Sequence, residues 1–109
     1  MKVRVSGKQI EIGETLPDQV RARLESAVAK HFDGGAEANV VISKEGSAFR
    51  VDCGTHLDSG VVFRAEGTGI DAYRAFDATL VHLEKQIRRY KRRLKNHHEK
   101  VKPPKSAPA

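Results

Sequence analysis

Lys85, Arg88, Arg89, Lys91, Arg92, Arg93 and Lys95 place seven cationic side chains in eleven consecutive positions, with no acid among them. A guanidinium presents a planar fork that matches phosphate oxygens and also stacks on exposed bases, so this run points to a polyanion, with RNA as the leading candidate. Across residues 85–102, nine Lys or Arg stand against Glu99 alone, a balance of +8 in a chain whose net charge is +6, which leaves −2 for everything else. The chain is therefore a mildly acidic body carrying one basic segment, and charge localised in this way makes a directed field. The bland reading is a solvated helix face. It fits poorly, because an inert exposed helix usually carries Glu and Lys four residues apart and this run carries no such acids.

Few other residues have spacing that implies chemistry. Arg74 projects to the same side as the basic run, and Arg23 and Lys30 lie on the polar side of an earlier helix, where they extend the cationic surface if both helices cover one sheet face. Lys2, Arg4, Arg50 and Arg64 share alternate strand positions with Asp52 and Glu66, so cross-strand ion pairing and RNA contact are equally good readings. Tyr90 falls at the edge of an apolar stripe and reads as packing more than stacking; Tyr73 reads as core. His97 and His98 are adjacent on a helix and point apart, while His31, His56 and His82 are scattered, so no metal site is expected. Cys53, the one cysteine, takes an inward strand position as a small buried hydrophobe and leaves no intramolecular disulfide, in keeping with a reducing cytoplasm. Gly7 and Gly69 read as changes of chain direction, and no glycine-rich loop has phosphate-cradle spacing. No paired carboxylates or His/Lys/Glu constellation can be assembled, so no enzyme activity, cofactor or small-molecule substrate is expected. Two alternatives stand beside RNA binding: an RNA-cleaving enzyme, which that lack disfavours, and a membrane-surface or acidic-protein binder. The second conflicts with an apolar stripe needed to cover a sheet.

The elements that position these residues follow from periodicity. A length of 109 residues suits one domain. Val3 and Val5 alternate with charge in a first strand ending near Gly7, a start with neither signal peptide nor membrane span. Thr15-Leu16-Pro17-Asp18 has the parts of a helix start with Thr15 as cap, and Leu16, Val20, Leu24, Ala27, Val28 and Phe32 form its buried stripe before Asp33-Gly34-Gly35 ends it. Three strands follow as an antiparallel meander: residues 39–44; then Phe49, Val51 and Cys53 against Arg50 and Asp52; then residues 61–67, with Val61, Phe63 and Ala65 on one face. The last helix starts at Asp71, suited to the cap and the macrodipole, and Tyr73, Phe76, Leu80, Leu83, Ile87, Tyr90 and Leu94 fall within an arc of roughly 100°. From Asp71 to Asn96 it spans roughly 39 Å, against about 23 Å for a seven-residue strand, so its arginine-rich turns should overhang the sheet. The domain is expected over residues 1–98, with residues 99–109 a basic, Pro-rich tail or linker.

Asp71-Ala72-Tyr73-Arg74-Ala75-Phe76-Asp77, then Leu83-Glu84-Lys85-Gln86-Ile87 and the Lys/Arg run, closely resemble the Asp-x-Tyr-x-Ala-Ile-Asp and Leu-Glu-x-Gln-Leu elements of the ribosome hibernation promoting factor and ribosome-associated inhibitor family. Phe76 and Ile87 replace the usual residues and stay apolar. Val5-Ser6-Gly7-Lys8 and Glu14-Thr15-Leu16 are similar to that family's first strand and helix entry. The resemblance implies an α+β fold in the order β-α-β-β-β-α, a four-stranded sheet with two helices packed on one face, similar to double-stranded-RNA-binding domains. It implies a cytoplasmic partner of the ribosome that sits on small-subunit rRNA near the decoding centre, where mRNA and the A- and P-site tRNAs belong, and silences translation by occupancy. General binding of structured RNA is the alternative. The expected RNA-binding set is Lys85, Arg88, Arg89, Lys91, Arg92, Arg93 and Lys95, with Arg74, Lys30 and Arg23 in support, on a domain expected to be monomeric in isolation.

Overall fold

The computed structural model describes residues 1–101, with side chains to residue 95. Its elements are β1 (Lys2–Lys8), α1 (Thr15–Ala29), β2 (Ala36–Glu45), β3 (Ala48–Leu57), β4 (Val62–Gly69) and α2 (Ala72–Val101). They form one sheet in the order β1-β2-β3-β4. The α1 crossover returns the chain to the starting end, so β1 and β2 are parallel, while β2, β3 and β4 make the expected antiparallel meander.

The alternation read in the strands decides which face is covered. Val40, Cys53 and Ala65 stand opposite one another across three strands, and Ile42, Val51 and Gly67 form the next inward row. Both helices cover that face, α1 over β1 and α2 over β4 and β3. Phe76, Leu83 and Ile87 of α2 are essentially fully buried, as are Val20 and Leu24 of α1. Each such side chain contributes about 1.5–3 kcal/mol by leaving water.

What sets the height of α2 above the sheet is the absence of side chains beneath it. A Cβ on Gly67 would lie 2.5 Å from the Thr79 backbone nitrogen, and one on Gly69 would lie 2.6 Å from that of Ala75. Gly69 therefore serves close approach as well as the change of direction expected of it. Into this contact Thr79 brings a buried hydroxyl, 2.8 Å from the Ala75 carbonyl oxygen and 3.2 Å from that of Val51 in β3. A polar residue on the packing face is tolerated because its hydrogen bond is made.

Several expectations need correction. Thr15 is the first residue of α1 and not its cap: Glu14 takes the cap position without a side-chain hydrogen bond, and Asp18 pairs with Arg21. Phe32 lies beyond the end of α1, where it packs half-buried against Phe63 and Tyr90. Tyr73 is 41% exposed and Leu94 50% exposed, so neither is core. Leu94 lies on turns of α2 that run past the sheet, whereas Tyr73 stands on the flank of a first turn whose contact with β4 is made by Ala75 over Gly69. The helix also continues past Asn96 to Val101, and the tail expected from residue 99 lies, from Lys102 onward, outside the described residues.

The α2 start is as expected, since Asp71 Oδ1 accepts the Arg74 backbone N–H at 2.8 Å. Replacing Asp71 with Ala should therefore cost about 1 kcal/mol in urea unfolding, whereas Thr15→Ala should cost no more than about 0.5 kcal/mol; equal losses would refute the assignment of caps. Gly67→Ala should cost about 1–3 kcal/mol by pushing α2 off the sheet. Gly54→Ala, whose Cβ meets nothing, should shift stability by less than about 1 kcal/mol, and an equal effect at the two glycines would show that close approach is not what Gly67 provides.

Candidate nucleic-acid interface

The basic run emerges from an aromatic clamp. Phe63 meets Tyr90 edge-on at 5.5 Å, and Phe32 lies 6.1 Å from Phe63 and 6.3 Å from Tyr90, closing the end of the core around α2. Tyr90 is thereby a packing residue, half-buried in the cluster. Lys91 turns back onto the body: its Nζ donates to the His31 carbonyl oxygen at 3.0 Å, just past the end of α1, and stands 5.7 Å from the Phe32 ring centre. Burial, and next the charge of Lys91, hold the His31 imidazole below its ordinary pKa, which favours the neutral ring beside that ammonium. Beyond this point Arg92, Arg93, Leu94 and Lys95 are all exposed.

All ten expected binding residues reach solvent, but their electrostatic situations differ. Arg23 pairs with Asp77 at 2.6 Å, Lys30 with Glu84 at 3.3 Å and Arg74 with Asp71 at 3.2 Å, while Arg88 approaches Glu84 at 4.0 Å. Lys85, Arg89, Arg92, Arg93 and Lys95 have no carboxylate within ion-pair distance among the described side chains. The structure thus brings Arg23, Lys30 and Arg88 together at the seam between the helices and leaves Lys85, Arg89, Arg92, Arg93 and Lys95 facing water. Arg74 stands apart, about 16 Å up the helix from Lys85 at about 1.5 Å per residue. Ala78 and the exposed Val81 lie between them.

The open face of the sheet resolves the even choice posed by its strand cations in favour of ion pairing at one position. Arg50 is held by Asp52 at 3.1 Å, by Glu66, and by Glu45 at 3.7 Å. The Asp52 hydrogen bonds, then the surrounding carboxylates, push its pKa further above the ordinary guanidinium value. Cys53 is buried as expected, and burial pushes its thiol pKa up, away from reactivity. Among the described residues no three His, Cys, Asp or Glu side chains gather as a metal site; His97 and His98 lie outside the described side chains. No described helix is long and apolar enough to cross a membrane.

Two positioning residues escaped the sequence reading. His82 Nδ1 lies 2.6 Å from the Glu66 carbonyl oxygen, and the Gln86 amide donates to that of Arg64. Being four apart, these side chains leave α2 on one side and wrap the outer edge of β4. The signal was present as a polar pair bordering the apolar stripe at helical spacing, but that pattern is shared with any solvated helix flank.

Comparison with known proteins agrees with this architecture. The chain is 49% identical over 98 residues to the ribosome hibernation promotion factor of Rhizobium meliloti (strain 1021), covering 90% of this chain and 52% of that one. It is 29% identical to the ribosome hibernation promoting factor of Escherichia coli (strain K12), covering 89% of this chain and all of that one. The chain thus spans about half the length of the Rhizobium relative and the whole of the Escherichia one. The crystal structure of the Thermus thermophilus Protein Y N-terminal domain superposes with a TM-score of 0.74 at 30% identity, covering 83% of this chain and 99% of that one. A family model described as Sigma 54 modulation protein / S30EA ribosomal protein matches residues 3–95, and the chain belongs to that family.

Proposed function

We propose that this chain is the ribosome-binding domain of a hibernation factor. It lays the cationic end of α2 on small-subunit rRNA near the decoding centre, fills space that mRNA and the A- and P-site tRNAs need, and silences idle ribosomes by occupancy without catalysing a reaction. The observation that carries this reading is the segregation of charge. Lys85, Arg89, Arg92, Arg93 and Lys95 lie exposed on a helix leaving a body whose own balance is negative, so neutralisation must come from a partner. The names of the relatives favour the ribosome as that partner. Lys91 acts mainly as an anchor, because its ammonium already serves the His31 carbonyl.

Affinity on this reading comes largely from released counterions. With five phosphate contacts and a slope of about −0.9 per contact, raising salt from 50 to 200 mM should weaken binding roughly 500-fold. Replacing Arg89, Arg92 and Arg93 with Glu should leave the unfolding midpoint nearly unchanged and abolish co-sedimentation with small subunits in sucrose gradients. Persistent co-sedimentation of a folded triple variant would show that α2 is not the binding surface. Competition by an unrelated folded RNA at equal affinity would favour general structured-RNA binding instead, and protection of decoding-centre nucleotides from chemical modification would favour the ribosome.

A further inference from the structure

Gly54 stands at an interior position of β3, where a glycine weakens a strand and usually marks a bulge, a special backbone angle or the close approach of another group. The first two do not apply. Its pairing with Asn39 and Arg64 continues unbroken along both neighbouring strands, and its φ lies outside the left-handed region that Gly13, Gly46 and Gly60 adopt. Nor does this chain approach it: a Cβ there would meet nothing within 4 Å, in contrast to Gly67 and Gly69 beneath α2. Gly54 instead floors a broad hollow of about 690 Å³ on the open sheet face, with Asn39, His56 and Arg64 around it and His82 and Gln86 at the β4 side. Arg4, Asn39, Gly54 and Arg64 form one row across all four strands. Two arginines therefore flank the floor, about 14 Å apart at their Cα atoms, which is three strand spacings.

We propose that this hollow binds an unpaired nucleotide of RNA, its base flat on the Gly54 backbone and the adjoining phosphates on Arg4 and Arg64. The inference goes beyond the reading above, because the site lies on the sheet face that neither helix covers and does not use the basic run of α2. The charge of the face favours an anion there. Of the four acids on outward strand positions, Glu45, Asp52 and Glu66 gather on Arg50, which leaves Glu37. Lys2, Arg4, Lys8 and Arg64 have no carboxylate within ion-pair distance among the described side chains. The rest of the lining favours a base over a bare phosphate. The Asn39 amide and the His56 ring make no hydrogen bond within the described residues, and each can both donate and accept, as the edge of a base requires. A β-carbon at position 54 would lift a planar ring off the peptide groups, which accounts for the glycine. A base stacked within a duplex shows only its edges, so the site takes nucleotides from single strands, loops and bulges.

The test titrates isotopically labelled protein with a single-stranded RNA tetramer of mixed sequence, and with an abasic tetramer of the same backbone, while backbone amide signals are followed by NMR. The RNA tetramer should shift the amides of Asn39, Gly54 and His56 in wild-type protein, and also in the variant carrying Arg89→Glu, Arg92→Glu and Arg93→Glu. The abasic tetramer should leave them in place. Gly54→Val, whose branched side chain suits a strand, should unfold at or above the wild-type midpoint yet weaken binding at these amides about fivefold or more, the low end of what one stacked base contributes. Arg64→Gln should reduce the salt slope at the same amides by about 0.7, one phosphate contact on a single strand. Shifts confined to α2, an equal response to the abasic tetramer, or a folded Gly54→Val variant that binds as wild type does would overturn the proposal. So would an acidic peptide that moves the same amides at lower concentration than the tetramer, which would mark the face as a protein site. Wild-type protein that co-sediments with small subunits but shows no response on the sheet removes this inference alone. A base-dependent response on the sheet from protein that does not co-sediment removes the ribosomal reading and supports this inference.

Discussion

The close approach of α2 to β4 governs everything else in the molecule. Gly67 and Gly69 let the helix backbone descend until Ala75 and Thr79 meet the strand directly, which fixes both the height and the direction of a 30-residue rod. A helix of that length runs about 45 Å, whereas the 8-residue β4 runs about 27 Å, so once one end is seated the other must extend beyond the sheet. The aromatic group of Phe32, Phe63 and Tyr90 marks where support ends. The projection of the last turns is a consequence of packing geometry at the opposite end of the helix.

Along that rod charge changes sign at a sharp boundary. Asp71, Asp77 and Glu84, with Arg74 the one cation among them, precede the division, and the cations from Lys85 onward, with Glu99 the one acid, follow it. Acids near the helix start and cations near its end both oppose the macrodipole favourably, though only within the terminal turns. In between, Lys85 with Arg89, Arg88 with Arg92, and Arg89 with Arg93 are like charges four residues apart, an arrangement that destabilises an isolated helix by a few tenths of a kcal/mol per pair. The apolar face through Leu83 and Ile87 offsets that repulsion inside the body. Past Tyr90 no strand does so, and a polyanion that neutralises the run would relieve it.

The order of elements, the inward strand faces and the Asp71 cap were legible because each depends on local periodicity or on one side chain reaching a neighbouring backbone group. The errors at the stripe turn on what lies opposite each position. Tyr73 and Leu94 fit the apolar stripe by angle, but Leu94 lies beyond the strands, and Tyr73 is left on the flank because Ala75 and Thr79 take the places over Gly69 and Gly67. Thr79 is a polar residue on the packing face, its hydroxyl satisfied by the Ala75 carbonyl oxygen one turn back and also 3.2 Å from that of Val51, 28 positions away in sequence. Of the candidate site, exposure of the cations followed from helical spacing alone. Their division into ion-paired and unpartnered sets did not, since Arg23 finds Asp77 and Lys30 finds Glu84 only after two helices are laid side by side.

The two edges of the sheet show why charge, more than backbone, defines the exposed surface. An edge strand presents unpaired N–H and C=O groups that can template further pairing. On β4 the carbonyls of Arg64 and Glu66 are taken by Gln86 and His82, so the helix that carries the cations also blunts the nearest edge. On β1, Arg21 of α1 reaches the Val3 carbonyl oxygen at 3.4 Å, and Lys2, Arg4 and Lys8 place cations along the strand, a common device against edge pairing. The open face is partly neutralised by the carboxylates gathered around Arg50. Sheet edges and sheet face are thus answered largely by groups of the same chain, whereas the last described turns of α2 carry a field that their described neighbours do not cancel, and it is there that an external anion gains most.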